Sequence, residues 1–202
     1  MIEIIEGEQG TPEWFALKCG KVSASTISKI ITSTGKRSTQ RKAFMYQLAA
    51  ETLTGEKTET YSNKNMSDGL EREQETLDAF SFITGIKIRP VALIKPGNGE
   101  RFCCSPDSIV IDKEEGVEVK SVIPATQVKY LDKRILPTEY RLQCQMSLMV
   151  TGWNLWHFFS YYPSLPPLHV EVERDEQLIK EIRAEINIFI RELDCLINKI
   201  KK

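Results

Sequence analysis

Residues 102–122, Phe-Cys-Cys-Ser-Pro-Asp-Ser-Ile-Val-Ile-Asp-Lys-Glu-Glu-Gly-Val-Glu-Val-Lys-Ser-Val, leave this chain few ways to fold. Two β-branched runs, 108–111 and 117–122, flank Asp-Lys-Glu-Glu-Gly, whose residue types favour a turn. The stretch predicts a β-hairpin. Side chains alternate along a strand, so Val117 and Val119 face one way while Glu118 and Lys120 face the other. Asp107 precedes the first strand, and the hairpin returns it close to Glu118 and Lys120. Two carboxylates and an ammonium then share one patch.

That patch has the spacing P-D-x(n)-E-x-K, with Pro106-Asp107 followed after ten residues by Glu118-Val119-Lys120. The string resembles the metal and phosphate site of a large nuclease superfamily. The residue types suit the chemistry. Mg²⁺ prefers oxygen ligands in octahedral geometry and keeps several waters, so two carboxylates hold it with positions to spare. Such an ion polarises a phosphoryl group and acidifies a bound water. A nearby lysine can orient that water or offset transition-state charge. The plain alternative is an exposed strand with alternating charges, so support has to come from elsewhere in the chain.

One source is a single glutamate. Ser67 or Asp68 is expected to cap a helix carrying Leu70, Leu77 and Phe80 and ending at Gly85. Glu73 falls three residues after Leu70 and four before Leu77, which places it on the inward face while Glu71 and Glu75 look outward. An inward carboxylate needs a partner, either a metal or a cation such as Lys120. A structural ion pair is the competing explanation.

Charge distribution supplies a second. The net charge is only −1, yet residues 14–50 hold no acid and seven cations, Lys18, Lys21, Lys29, Lys36, Arg37, Arg41 and Lys42. Serines and threonines are interleaved with them, Ser23 and Ser25 at the start of an expected helix through Ile31. Cations beside hydroxyls suit phosphate binding; solvated helix faces would more often mix both signs.

The remaining elements follow from punctuation. Thr11-Pro12-Glu13 opens a short helix with Trp14, Phe15 and Leu17 that stops near Gly20. A helix over 39–54 should turn Phe44, Leu48 and Leu53 inward and end at Gly55. Strands are expected at 86–94, 101–104 and 153–162, with helices over 125–136 and from Pro137-Thr138 to Gly152. Gln143 should face inward on the latter. Beyond Asp175 there is no Gly or Pro, and Ile179, Ile182, Ile186, Phe189, Leu193, Leu196 and Ile200 form a heptad-like stripe. That helix packs on its own domain by default, with a subunit contact as the alternative.

Composition excludes several classes. The chain has 202 residues, 41% hydrophobic and 27% charged, which suits one soluble domain. No apolar run reaches membrane-span length, and Met-Ile-Glu-Ile-Ile-Glu lacks a signal-peptide core. The five cysteines form no C-x-x-C and, with only His157 and His169 to join them, argue against a zinc site or disulfide framework. A reducing, cytoplasmic setting is expected.

Taken together, the ordered strings Glu8-Gln9-Gly10 with Trp14, Lys18, Gly20 and Ser23-Ala24-Ser25, then Gly69 and Glu73, then Cys104-Ser105-Pro106-Asp107, Glu118-Val119-Lys120 and Gln143-Cys144-Gln145-Met146 resemble the phage lambda exonuclease (YqaJ-like viral recombinase) family over residues 7–175. The resemblance implies an α/β (α+β) restriction-endonuclease-like core, PD-(D/E)xK in type, with a central mixed sheet flanked by helices and a long C-terminal helix. It implies a single nuclease domain over 1–202, with a phosphate- and DNA-binding part at 1–66, a catalytic core at 67–162 and the C-terminal helix at 175–202. The implied activity is Mg²⁺-dependent 5′→3′ exonuclease digestion of linear duplex DNA, processive and leaving 3′ overhangs for recombination by strand annealing. One or two ions are implied, with Mn²⁺ as a substitute.

Carried over by motif, Asp107, Glu118 and the Val119 carbonyl ligate metal and Glu73 supports it. Lys120 positions the nucleophile and Gln143 orients Lys120 or the phosphate. Lys18, Ser23 and Ser25, with Lys36 or Arg37, grip a 5′-phosphate; Trp14 and Tyr140 contact DNA, and Met66 is a strand-separating wedge. The implied partners are a 5′-phosphorylated duplex end, two further copies in a homotrimeric ring, and a single-strand annealing protein in the cytoplasm of a bacterial host, with no membrane. Two departures, Lys18 where the family favours arginine and Ser108 where it favours glycine, bear on the phosphate end and the local turn. A structure- or sequence-specific endonuclease of the same fold, and a DNA-end-binding module with a degenerate site, are the competing readings.

Overall fold

The computed structural model describes residues 1–57 and 65–202, with backbone alone for 65–71. Its centre is a five-stranded sheet of β3 (Ile88–Arg89), β6 (Ser108–Val110), β7 (Glu115–Ser121), β8 (Leu155–Tyr161) and β9 (Leu168–Glu173), in the order β3-β6-β7-β8-β9. β6 and β7 form the expected antiparallel hairpin, with Ser108 opposite Val117 and Ile109 opposite Gly116. Its second strand starts two residues earlier than expected, at Glu115, because Asp112 takes the left-handed φ of 62° and closes the turn early. Gly116 is required there, since a Cβ would collide with the Trp156 indole lying over it.

β7 runs parallel to β8, so the chain must cross over between them. The crossover consists of α4 (Pro124–Lys133) and α5 (Thr138–Thr151), which ends at Gly152 with φ 76°. α5 lies on one sheet face, where Tyr140 packs on Phe158 at 5.0 Å between ring centroids. On the opposite face α3 (Asn65–Thr84) brings Leu77 and Phe80 onto Val117, Val119 and Phe159. β9, which closes the sheet, was not foreseen: Pro166-Pro167 and alternating Glu171 and Glu173 mask its apolar residues.

Other expectations need correction. The run 86–94 is broken at Pro90 into β3 and β4 (Leu93–Pro96), and β4 pairs with an unforeseen N-terminal strand, β1 (Ile2–Ile5). β5 (Phe102–Cys103) pairs in parallel with β2 (Val22–Ser23), so the strand expected at 101–104 lies outside the main sheet. The helix expected from Ser23 is a single 3₁₀ stretch, Ala24–Lys29. α1 (Pro12–Lys18) has its cap as expected, the Thr11 hydroxyl accepting from the Trp14 N–H at 3.2 Å. In α2 (Arg41–Thr54) Phe44 and Leu48 are buried, but Leu53 is exposed and Glu51 is buried instead.

α6 (Glu176–Ile200), capped by Asp175, lays Ile182, Ile186, Phe189 and Leu193 fully into the main core. Each such side chain contributes about 1.5–3 kcal/mol by leaving water. Phe189 stacks on Phe44 of α2 at 5.7 Å. The stripe ends on Ile197 rather than on Leu196 and Ile200, because a straight helix drifts off a seven-residue repeat. The chain's own core therefore uses this stripe. No helix among the described residues is long and apolar enough to cross a membrane.

Candidate active site

The acid cluster sits where β6 leaves the sheet. Pairing of β6 with β7 stops at Ser108–Val117, so farther along, the edge of Val119 turned away from β8 faces Asp107 instead of β6. The Asp107 backbone N–H donates to the Val117 carbonyl at 3.0 Å, and Asp107 Oδ2 accepts from the Val119 N–H at 2.7 Å. The Val119 carbonyl, on the same side of its strand as that N–H, looks onto the same open edge. One residue away on either side, Glu118 and Lys120 project from the α5 face of β7.

Lys120 Nζ donates to Glu118 Oε1 and lies 3.8 Å from Asp107 Oδ2. Burial alone would lower the Lys120 ammonium, but Glu118 and Asp107 outweigh it and hold its pKa above the usual value. The acids respond in the opposite sense. Burial, then repulsion from Asp107, raises Glu118 to about 7 against the pull of Lys120 and the Gln143 amide. Burial also raises Asp107, with Lys120 and the Val119 N–H opposing. Half-buried Glu73 on α3 is raised by burial and then by Asp107, which places it within electrostatic reach of the cluster. Three carboxyls that resist ionisation together, with one ammonium among them, make a site that a divalent cation would relieve. The donor set is oxygen only, which fits a hard ion.

Two further side chains flank Lys120 and Glu118. The Tyr140 ring lies 5.6 Å from Lys120 Nζ, and half-buried Gln143 addresses the Glu118 carboxylate rather than Lys120. Gln9, from the Glu8-Gln9-Gly10 string, donates its amide to the carbonyls of Pro106 at 2.7 Å and Val91 at 3.1 Å, pinning the backbone before Asp107. The Trp14 indole N–H reaches Ser105 Oγ at 3.1 Å and the Ala92 carbonyl at 2.9 Å.

Trp14 also joins the acids to a cationic pocket. Lys18 Nζ lies 3.8 Å from its ring centroid, and Lys18 feels the charge of Glu118. The pocket, about 160 Å³, is lined by Lys18, Lys21, Lys29 and Lys57 with Ser23 and Thr26 among others. Burial lowers the Lys18 pKa, and Lys57 adds to the effect although nearby thiols oppose it. Lys57 is anchored by Glu51 at 2.8 Å, a carboxylate that is 0% exposed and also accepts from Gln47 and from the Gly20 N–H.

Not every expected phosphate ligand joins this pocket. Arg37 pairs with Glu185 on α6 at 3.2 Å, and Lys36 is exposed on the 32–36 turn; neither lines it. Ser25 is exposed, its hydroxyl 3.3 Å from that of buried Ser23. The side chain of Met66 lies outside the described residues. Lys57 carried no sequence signal, because its place depends on Glu51 meeting Gly20 across the fold.

Known proteins share this fold. Among curated proteins no sequence matches. An alkaline exonuclease, LHK-Exo from Laribacter hongkongensis, is 30% identical over 95% of this chain and 96% of its own, with a TM-score of 0.83. The same enzyme solved in complex with dAMP is 31% identical over the same shares, again with a TM-score of 0.83. A phage related exonuclease from Haemophilus somnus 129PT shares the fold at 16% identity over 89% of this chain and 96% of its own, with a TM-score of 0.64. The family model of the YqaJ-like viral recombinase domain matches residues 13–154, and the chain therefore belongs to the YqaJ-like viral recombinase family.

Proposed function

We propose that this protein is a Mg²⁺-dependent 5′→3′ exonuclease that digests one strand of linear duplex DNA, processively, leaving 3′ single-stranded overhangs for phage-type strand annealing. The observation that carries the reading is the adjacency of the Asp107–Glu118–Lys120 cluster to the lysine pocket across one tryptophan, Trp14. Nuclease activity is what the family and the acid cluster support together; polarity rests on the pocket.

Asp107, Glu118 and the Val119 carbonyl would hold the ion, with Glu73 supporting it from α3. When bound, Mg²⁺ supplies Lewis-acid polarisation of the scissile phosphate and acidifies a water. With the carboxylates engaged by an ion, the Lys120 ammonium would be free to orient the attacking water or offset charge on the transition-state oxygens. Gln143 fixes Glu118, and Gln9 fixes the backbone that presents Asp107. Lys18, Lys21, Lys29 and Lys57 hold a terminal 5′-phosphate through charge, while Ser23 offers a hydroxyl donor and Thr26, donating to the Ser23 carbonyl, fixes the backbone that presents it. Ammonium groups act as point charges there, without the bidentate fork of arginine. A grip on a 5′ terminus beside the acids positions a bond near that terminus for cleavage, which defines direction. We further propose a homotrimeric ring and an annealing-protein partner, as the family resemblance implies, in a bacterial cytoplasm.

The test is digestion of end-labelled linear and closed circular duplex, with Mg²⁺ and with EDTA. Expected are release of nucleotides from 5′ ends of linear DNA, intact circles, no activity in EDTA, and faster digestion from 5′-phosphate than from 5′-hydroxyl ends. Cut circles would instead establish an endonuclease of the same fold, and equal rates on the two ends would remove the pocket's role.

A further inference from the structure

We propose that His157, His169 and Glu171 form a second cation site, for a borderline divalent d-block ion such as Zn²⁺, on the sheet face opposite the acid cluster. Strand register sets the faces. His157 lies beside Val117 on β7 and opposite Glu171 on β9, so all three share the α3 face, away from Glu118 and Lys120. His169 stands opposite Phe159 on the same face. The donor atoms of His157, His169 and Glu171 all lie within 4.8 Å of one another.

The hydrogen bonds around His157 supply the second argument. His157 is 1% exposed, and its Nε2 lies 3.0 Å from Glu115 Oε2. The Glu115 carboxylate favours the tautomer of a neutral imidazole with its proton on Nε2, which leaves Nδ1 with a lone pair. That lone pair points at His169 Nε2, 3.0 Å away. In that tautomer the His169 Nε2–H is the donor of this contact, and a cation between the two nitrogens would take a lone pair from each. Two nitrogens on a tetrahedral Zn²⁺ with bonds of 2.0–2.1 Å stand about 3.3 Å apart, so small side-chain shifts admit the ion. Glu115 behind His157 is the carboxylate that commonly orients a metal-bound imidazole. Glu171 supplies the third ligand from an exposed position, which leaves a fourth place for water.

The chemistry separates this site from the first. Two imidazoles and one carboxylate disfavour Mg²⁺, which the all-oxygen cluster prefers. Phe80 of α3 closes the inner side, its ring 5.7 Å from that of His157 and 5.5 Å from that of His169. A cation there ties β9 to β8 and stiffens the sheet edge. Carboxylates arriving in register from β7 and β9, rather than cysteines, complete the donor set around the two histidines. This proposal stands apart from the nuclease reading and survives its failure.

The experiment uses the full chain carrying Asp107→Asn, which weakens cation binding at the acid cluster, in millimolar Mg²⁺. Zn²⁺ is titrated by calorimetry, and Co²⁺ by visible absorption. Expected are one equivalent of Zn²⁺, a Co²⁺ spectrum of nitrogen–oxygen ligation, and a rise in Tm with Zn²⁺. His169→Gln should weaken Zn²⁺ at least tenfold, and Glu115→Gln about 10–100-fold through His157. Glu171→Gln, at an exposed position where folding is safe, should weaken it too and alter the Co²⁺ spectrum. Zn²⁺ binding that is absent, or that is unchanged by both Glu171→Gln and His169→Gln, overturns the proposal.

Discussion

Lys120 sits between two acids: Glu118 and Asp107 raise its pKa against burial, while its charge holds theirs below what burial alone would impose. Replacing Lys120 with Ala removes an ammonium aimed at the transition state while leaving the lysine pocket intact. The expected loss is about 10²–10³-fold in single-turnover rate with DNA affinity little changed, measured by quench-flow and by anisotropy in Ca²⁺. Normal turnover would show the role is misassigned. Glu118 adds a pH dependence. Its raised pKa of about 7 means that it is mostly protonated below that pH, and a cation must then displace the proton. The Mg²⁺ concentration giving half-maximal activity should therefore rise as pH falls below 7 and level off above it; Mg²⁺ titrations at several pH values measure this. Asp107, Glu118 and Lys120 were legible in the sequence because strand alternation and one turn bring them together. Lys57 and Glu51 were not, since nothing local says that residue 51 will bury its carboxylate against the N–H of Gly20.

α2 and α6 hold the lysine pocket from behind, and their packing can be probed without touching it. Phe189 is fully buried and stacked on Phe44, whose ring also lines the pocket and lies 5.2 Å from Lys29 Nζ. Phe189→Ala should cost about 3–5 kcal/mol, read from urea unfolding, because the cavity cannot close between two helices. An unchanged urea midpoint would mean that α6 is not part of the cooperative core. Helices were the legible elements. Thr11-Pro12, Asp175 and Gly152 mark their ends chemically, and apolar spacing marks their faces. Short strands were not. β1, β2 and β5 span four, two and two residues, and each exists only because a distant partner arrives in register. Leu53 failed as an inward position for a related reason: Glu51, tied to Lys57, Gln47 and Gly20, took the buried place.

At the scale of the molecule, the stripe on α6 no longer argues for a subunit contact. Its apolar face is buried within the chain, and Ile200 alone of the expected stripe stands well exposed, at 56%. The proposed ring must therefore use other surface. Exposed apolar side chains gather around α4, where Ile123 is 65%, Val128 54% and Ile135 62% exposed. Single exposed residues need no explanation, but three within one short helix and its flanks make this segment the first place to test for a subunit contact. Light scattering should give a mass three times the 23.1 kDa of one chain. Val128→Asp combined with Ile123→Ser should reduce that mass toward the monomer, because a charge buried in an interface finds no partner. The same substitutions lie outside the core, so the monomer's unfolding midpoint should shift by no more than about 0.5 kcal/mol per site. A monomeric mass for the unaltered protein would remove the ring. A trimer indifferent to both substitutions would place its contacts away from α4.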